Sequence, residues 1–256
     1  MMRLTLVIAA LALPATSLSA QRTFDPERLD RTETGTRFKI AEEAVDSGKM
    51  RVMQKRIARC AALNDRELAQ ELLEKGDPVT VDYGELSVEY GEMLDEMSFS
   101  RCIGRAMPRS ARMMRVRSDG ATMRNLFAEE IYLHENDEPP VIGEGDPELL
   151  DNRYYAGGRS YMMAQVPAQL ADCIVYRAPA EAHEFLETNP TTSDEREAAE
   201  ALGSVVDECL PGEDSEVSFS LAQLRGYVAD GLWSRSHYGP MASSAAKVDS
   251  EGESEE

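Results

Sequence analysis

Residues 123–132 read MRNLFAEEIY and residues 224–233, 101 positions later, read LRGYVADGLW. Each stretch sets an arginine five positions before a carboxylate, Arg124 with Glu129 and Arg225 with Asp230. Such a set could do chemistry, the arginine holding an anion and the carboxylate acting as acid or base. On a helix, however, residues five apart sit on different faces and do not converge on one substrate. Met123, Phe127 and Ile131, like Leu224, Val228 and Leu232, recur at helical spacing on one face. The expectation is therefore a core stripe backed by a solvated polar face with ion pairs to neighbouring helices.

A second candidate lies just upstream. Residues 100–124 carry seven arginines against one acid, Asp119, in a chain of net charge −20. Arg101, Arg105, Arg109, Arg112, Arg115 and Arg117 are interleaved with Met107, Met113, Met114 and Val116. Fork-shaped donors among flexible apolar side chains suit phosphate, carboxylate or an adaptable protein surface. The segment is read as a basic patch for an envelope protein or an anionic surface. The competing use is neutralisation of the chain's own acidic faces.

Other chemistries find little support. There is no GxSxG, GxGxxG or GxxxxGK[ST] motif, so a serine nucleophile elbow and nucleotide cofactors lack their signatures. No CxxC pair occurs, and His134, His183 and His237 lie far apart, so no metal site and no cofactor is expected. Asp146, Glu148 and Asp151 lack the spacing of a calcium loop. Carboxylates at helical spacing in EYGEMLDEM, Glu89 to Met97, could serve a glycosidase, yet the chain's 47 acids make such coincidences common. YYAGGRSYMM, residues 154–163, could stack sugars or simply lead into a helix. The acidic balance excludes wholesale nucleic-acid binding.

The elements that must carry these residues come from a repeat. A shift of 113 lays residues 50–74 on 163–187 with seven identities, including Cys60 on Cys173, Leu73 on Leu186 and Glu74 on Glu187. Cys102 meets Cys209 at a shift of 107 and the opening echo follows at 101. Two losses of six residues in loops would produce both changes of shift. The expected fold is all-α: two tandem, diverged units of about four helices each, with one disulfide inside each unit. Four cysteines allow three connectivities; the repeat favours Cys60–Cys102 and Cys173–Cys209, with bridges between the halves as the alternative. Each favoured bridge would contribute about 4 kcal/mol by restricting the unfolded chain.

Helix grammar agrees. NDRELAQELLEKG opens on Asn64 and stops before Gly76, while TSDEREAAEALGSVVDECLPG opens on Thr192 with Glu195 three residues on. Strand-like alternation is confined to VTVDY, residues 79–83. Residues 1–20 have one cation, an apolar run from Leu4 to Leu13 and a small residue at Ala20, the pattern of a cleaved export signal. The run is too short for a span, which takes about 20 residues, and no transmembrane segment is expected. The predicted order is signal peptide 1–20, N-terminal extension 21–36, unit A 37–134, acidic Pro/Gly linker 135–153, unit B 154–238 and a disordered acidic tail 239–256. The functional expectation is an exported, non-catalytic binding or scaffold protein of the bacterial envelope, in the periplasm or secreted. The alternative is a secreted hydrolase using paired carboxylates between the units.

Overall fold

The computed structural model describes residues 37–40, 45–107, 118–155, 160–210 and 216–252 of the 256-residue chain. Residues 1–36, which the sequence reads as export signal and N-terminal extension, and residues 108–117 lie outside the described residues. The described chain is mostly helical. Before the Pro/Gly-rich stretch come a short strand β1 (Arg37–Ile40) and helices α1 (Val45–Asn64), α2 (Arg66–Glu74), α3 (Tyr90–Glu96), α4 (Phe99–Ala106) and α5 (Gly120–Glu135). After it come α6 (Ser160–Arg177), α7 (Pro179–Glu187), α8 (Ser193–Ala201), α9 (Gly203–Cys209), strand β2 (Glu216–Phe219) and α10 (Leu221–Gly252).

Local signals explain most boundaries, with shifts of a residue or so. Asp65, not Asn64, caps α2, its carboxylate accepting from the Leu68 N–H at 3.0 Å. Asn64 instead ends α1 and donates to the Met97 carbonyl. Thr192 caps α8 as its spacing predicts. The box is offset: Glu195 reaches back to the Thr191 N–H at 2.8 Å. Among the described residues each half has five α-helices, against the expected number of about four. In the first half the break between α3 and α4 falls at Ser98, whose φ of 55° interrupts the helical path. Helix α10 continues to Gly252, past position 239 where the sequence reading begins the tail. Its MASSAAKV stretch, rich in alanine, favours propagation of an established helix.

The strand expectation is corrected. In residues 79–83 only Val81 forms a bridge, antiparallel to Gly76. Among the described residues the strands are β1 and β2, four residues each, paired in parallel from Arg37↔Glu216 to Ile40↔Phe219. Strands this short show no alternation, and their partners lie at opposite ends of the chain, so sequence periodicity could not reveal them.

Both disulfides close within the halves, Cys60–Cys102 and Cys173–Cys209. They staple α1 to α4 and α6 to α9. The buried apolar residues form one cluster that draws on both halves. At its centre α5 and α10 pack on each other, with Phe127, Ala128 and Ile131 facing the core beside Leu224, Val228, Ala229 and Leu232, all fully buried. Tyr132 and Trp233, at matching positions, are buried too. Close approach of α6 to α10 depends on Gly231, where a Cβ would sit 2.6 Å from the Ala171 carbonyl oxygen. Among the described residues no helix is long and apolar enough to cross a membrane.

Candidate functional site

The apolar stripe of the two echo helices is as expected, but their polar residues are not solvated. Arg124, Glu129, Glu130, Arg225 and Asp230 are each at most 4% exposed. The stretches 127–132 of α5 and 228–235 of α10 are buried throughout, and Arg124 and Arg225 one turn earlier are buried with them, so these charges must find partners inside the protein. They find each other. Arg225 of α10 grips Glu129 of α5 with two prongs, Nη2 to Oε1 at 2.8 Å and Nε to Oε2 at 3.0 Å. Arg124 of α5 pairs in return with Asp230 of α10. The arginine and carboxylate five apart on one helix thus converge only across the helix pair.

The reciprocity extends to the next layer. Arg124 Nη2 donates to the Leu73 carbonyl at 3.1 Å and Arg225 Nη2 to the Leu186 carbonyl at 2.6 Å. Leu73 and Leu186 are the residues matched by the shift of 113. Each guanidinium also lies over a ring, Arg124 over Trp233 and Arg225 over Phe185.

Beyond that core the two ends differ. At one end Asp230 also binds Arg153, which holds Asp172 through Nη2 at 2.7 Å and Nε at 3.1 Å. Asp172 in turn accepts from the Leu150 N–H at 3.0 Å. Burial raises Asp230, but Arg124 and Arg153 outweigh it and hold its carboxyl below the ordinary range. For Asp172 burial wins over Arg153 and the carboxyl is pushed up. At the other end Glu195, fully buried, takes Arg51 at 2.5 Å and Arg225 at 3.3 Å. Lys55 contacts both Glu129 and Glu130. Two arginines face two aspartates at one end. Arg51, Lys55 and Arg225 face three glutamates at the other. Each set balances, as buried charge requires.

A cavity of about 280 Å³ opens where α5 and α10 begin. Its walls use corresponding positions of the two echoes, Ala121 with Ala222 and Leu126 with Tyr227, and its lining includes Arg51, Glu129 and Arg225. Gly226 gives Asn125 room there, since a Cβ would lie 3.2 Å from its amide nitrogen. The one carboxylate of the lining, Glu129, is already clamped by Arg225.

Of the sequence-predicted basic patch, Arg101 and Arg105 lie exposed on α4, and Arg105 Nη1 approaches Cys60 Sγ at 3.8 Å. Arg109, Arg112, Arg115 and Arg117 lie outside the described residues. The carboxylates of Glu89 to Met97 are exposed on and beside α3. Residues 160–163 begin α6, so the Tyr/Gly segment leads into a helix. His183 bonds Tyr132, Nδ1 to the phenol at 2.8 Å, while His237 stacks on Trp233. Among the described residues no group of three or more His, Cys, Asp and Glu could hold a metal ion.

Sequence reasoning missed Arg51, Lys55, Arg153, Asp172 and Glu195. Two had signals: Asp172 interrupts the apolar run AQLADCIVY, and Glu195 stands at a capping-box position. Arg153 sits in the stretch read as linker, where Leu150 is buried beside it. No protein family, curated protein or solved structure matches this chain.

Proposed function

We propose that the protein is an exported, non-catalytic binding or scaffold protein of the bacterial envelope, composed of two diverged copies of one helical unit. The observation that carries the non-catalytic reading is the fate of four buried carboxylates between the halves. Glu129, Glu195, Asp172 and Asp230 are each bound to arginine, and no two of them face an open cavity as the carboxyl pair of a glycosidase must. Asp172, whose carboxyl is pushed up, is closed in by Arg153 and the Leu150 N–H. The duplication is supported by the exchange of ion pairs between the two echoes and by a bridge at the same place in each half. Export is supported by the leader pattern and by four cysteines all engaged in disulfides.

The binding surface in this reading is the Arg/Met segment 101–117, which the second half replaces with the shorter acidic stretch LPGEDSEVSFS. Affinity capture from envelope extract tests it, using the mature chain beside an Arg109→Ala/Arg112→Ala/Arg115→Ala variant. Loss of captured partners from the variant at low salt, lessening as salt rises for the parent, is expected. Identical captured sets at low and moderate salt would overturn the assignment of the surface.

A further inference from the structure

The two halves carry the same bridge in contrasting surroundings. Around Cys60–Cys102, residues 50–64 of α1 and 99–106 of α4 hold the cations Arg51, Lys55, Arg56, Arg59, Arg101 and Arg105 and no acid. Around Cys173–Cys209, residues 163–177 of α6 and 203–209 of α9 hold a single cation, Arg177, against Asp172, Asp207 and Glu208. Arg51, Lys55 and Arg59 reach Glu195, Glu129 and Glu130 on other helices. Arg56, Arg101 and Arg105 are exposed beside the first bridge.

The contrast reaches the sulfurs themselves. Asn64 Nδ2 donates to Cys102 Sγ at 3.4 Å and lies 3.9 Å from Cys60 Sγ, while Arg105 Nη1 stands 3.8 Å from Cys60 Sγ. In the second half the shift of 113 puts Arg177 in the place of Asn64, and the shift of 107 puts Glu208 in that of Arg101. Those two pair with each other at 3.2 Å, joining the same two helices as the bridge, and Arg177 also holds Glu148. Glu208 directly precedes Cys209. When a disulfide opens, one sulfur leaves as a thiolate. It leaves faster where a cation or a hydrogen-bond donor lowers its basicity, and a neighbouring carboxylate acts the other way. Access selects the sulfur that is attacked: Cys60 is half-buried at the surface, whereas Cys102 is 1% exposed. An incoming thiolate therefore meets Cys60, beside Arg105, and the sulfur that leaves is the one facing the Asn64 amide.

We propose that Cys60–Cys102 is a thiol-exchange site for small thiols that carry carboxylates. The thiolate sulfur attacks Cys60 Sγ and a new S–S bond forms. The bond to Cys102 Sγ breaks, and its electron pair stays on Cys102 as a thiolate, which takes a proton from water. The thiol is oxidised to a mixed disulfide and Cys102 is reduced. A second molecule of the same thiol attacks the thiol-derived sulfur of the mixed disulfide and releases Cys60 as a thiolate, so two thiols supply the two electrons and leave as their own disulfide. Arg101 and Arg105, one turn apart and exposed on α4, attract the carboxylates. Cys173–Cys209, with Glu208 beside it, stays closed under the same conditions and serves as a staple alone.

Reduced glutathione is the anionic probe, and cysteamine, which has an amine and no carboxylate, is the cationic one. The protein is treated with each at neutral pH and low salt, quenched with iodoacetamide and mapped by peptide mass. Glutathione is expected to open Cys60–Cys102 at least about tenfold faster than Cys173–Cys209, with the first adduct on Cys60 and the alkyl group on Cys102. The ratio of the glutathione rate to the cysteamine rate should be higher at the first bridge than at the second, and the two ratios should converge as salt rises. The Arg101→Glu/Arg105→Glu variant should keep the parent's circular dichroism and lose several-fold in the glutathione rate at Cys60, with no loss in the cysteamine rate. Equal or faster opening of Cys173–Cys209 would overturn the site, as would a first adduct on Cys102. A rate ratio that is the same at both bridges would overturn it too, because a bridge exposed by local unfolding does not choose between thiols by charge.

Discussion

Arg225 and Glu129, 96 residues apart in the chain, meet in a two-pronged ion pair at 2.8 and 3.0 Å inside the core. Arg124 and Asp230 make the reciprocal contact. The two long helices are therefore locked to each other by polar residues that each supplies to the other. Side-chain hydrogen bonds of this kind fix register and crossing more tightly than apolar packing alone.

Removing both partners of that lock should cost less than the sum of removing each. Glu129→Leu leaves Arg225 with Glu195 as its remaining carboxylate, and Arg225→Met leaves Glu129 with Lys55; each single change is expected to lose up to about 3–5 kcal/mol. The double variant should lose less than the sum, because the bond between the two is then lost once rather than twice. Urea unfolding of the four proteins gives the coupling energy. Simple additivity would show that the pair does not act as a unit.

Glycine positions should divide by what surrounds them. Gly231→Ala drives a methyl into the Ala171 backbone, 2.6 Å from its oxygen, and is expected to lower stability by about 1–3 kcal/mol. Gly104→Ala, in α4 with nothing within 4 Å of the new Cβ, should raise it by up to about 1 kcal/mol. Thermal melts of both variants decide the matter, and a tolerated alanine at 231 would contradict the close crossing of α6 and α10.

The two carboxylates that hold Arg153 should give stability opposite slopes with pH. Asp230 ionises more readily folded than unfolded, so its stabilisation is present above the unfolded value of about 4 and is lost as pH falls below it. Asp172 is shifted the other way, and ionising it costs stability as pH rises from about 4 toward its higher folded value. Asp230→Asn should weaken the protein at neutral pH and flatten the acid decline. Asp172→Asn should steepen the gain in stability just above about pH 4. Denaturant midpoints measured from pH 2 to 7 distinguish the two; the same slope in both variants would refute the assignment.

What the sequence determined were local matters with a short-range cause. Helical spacing marked Met123, Phe127, Ile131, Leu224, Val228 and Leu232 as core; Met123, in the first turn of α5, is half-buried and the other five are buried. Thr192 was legible as a cap because its hydroxyl acts on a backbone N–H three residues on. The cysteine pairing was legible because the repeat assigned one bridge to each half, and that is where the bridges are. Tertiary structure decided the rest. Whether Arg124 faces water or Asp230 depends on what covers the second side of α5, and the covering helix comes about a hundred residues later. The pairing of β1 with β2 and the reach of Arg153 from an apparent linker to Asp230 have the same origin. Periodicity reports the face a helix turns to its nearest neighbours in a core. Which charges meet on the opposite face follows only from the crossing of helices distant in sequence.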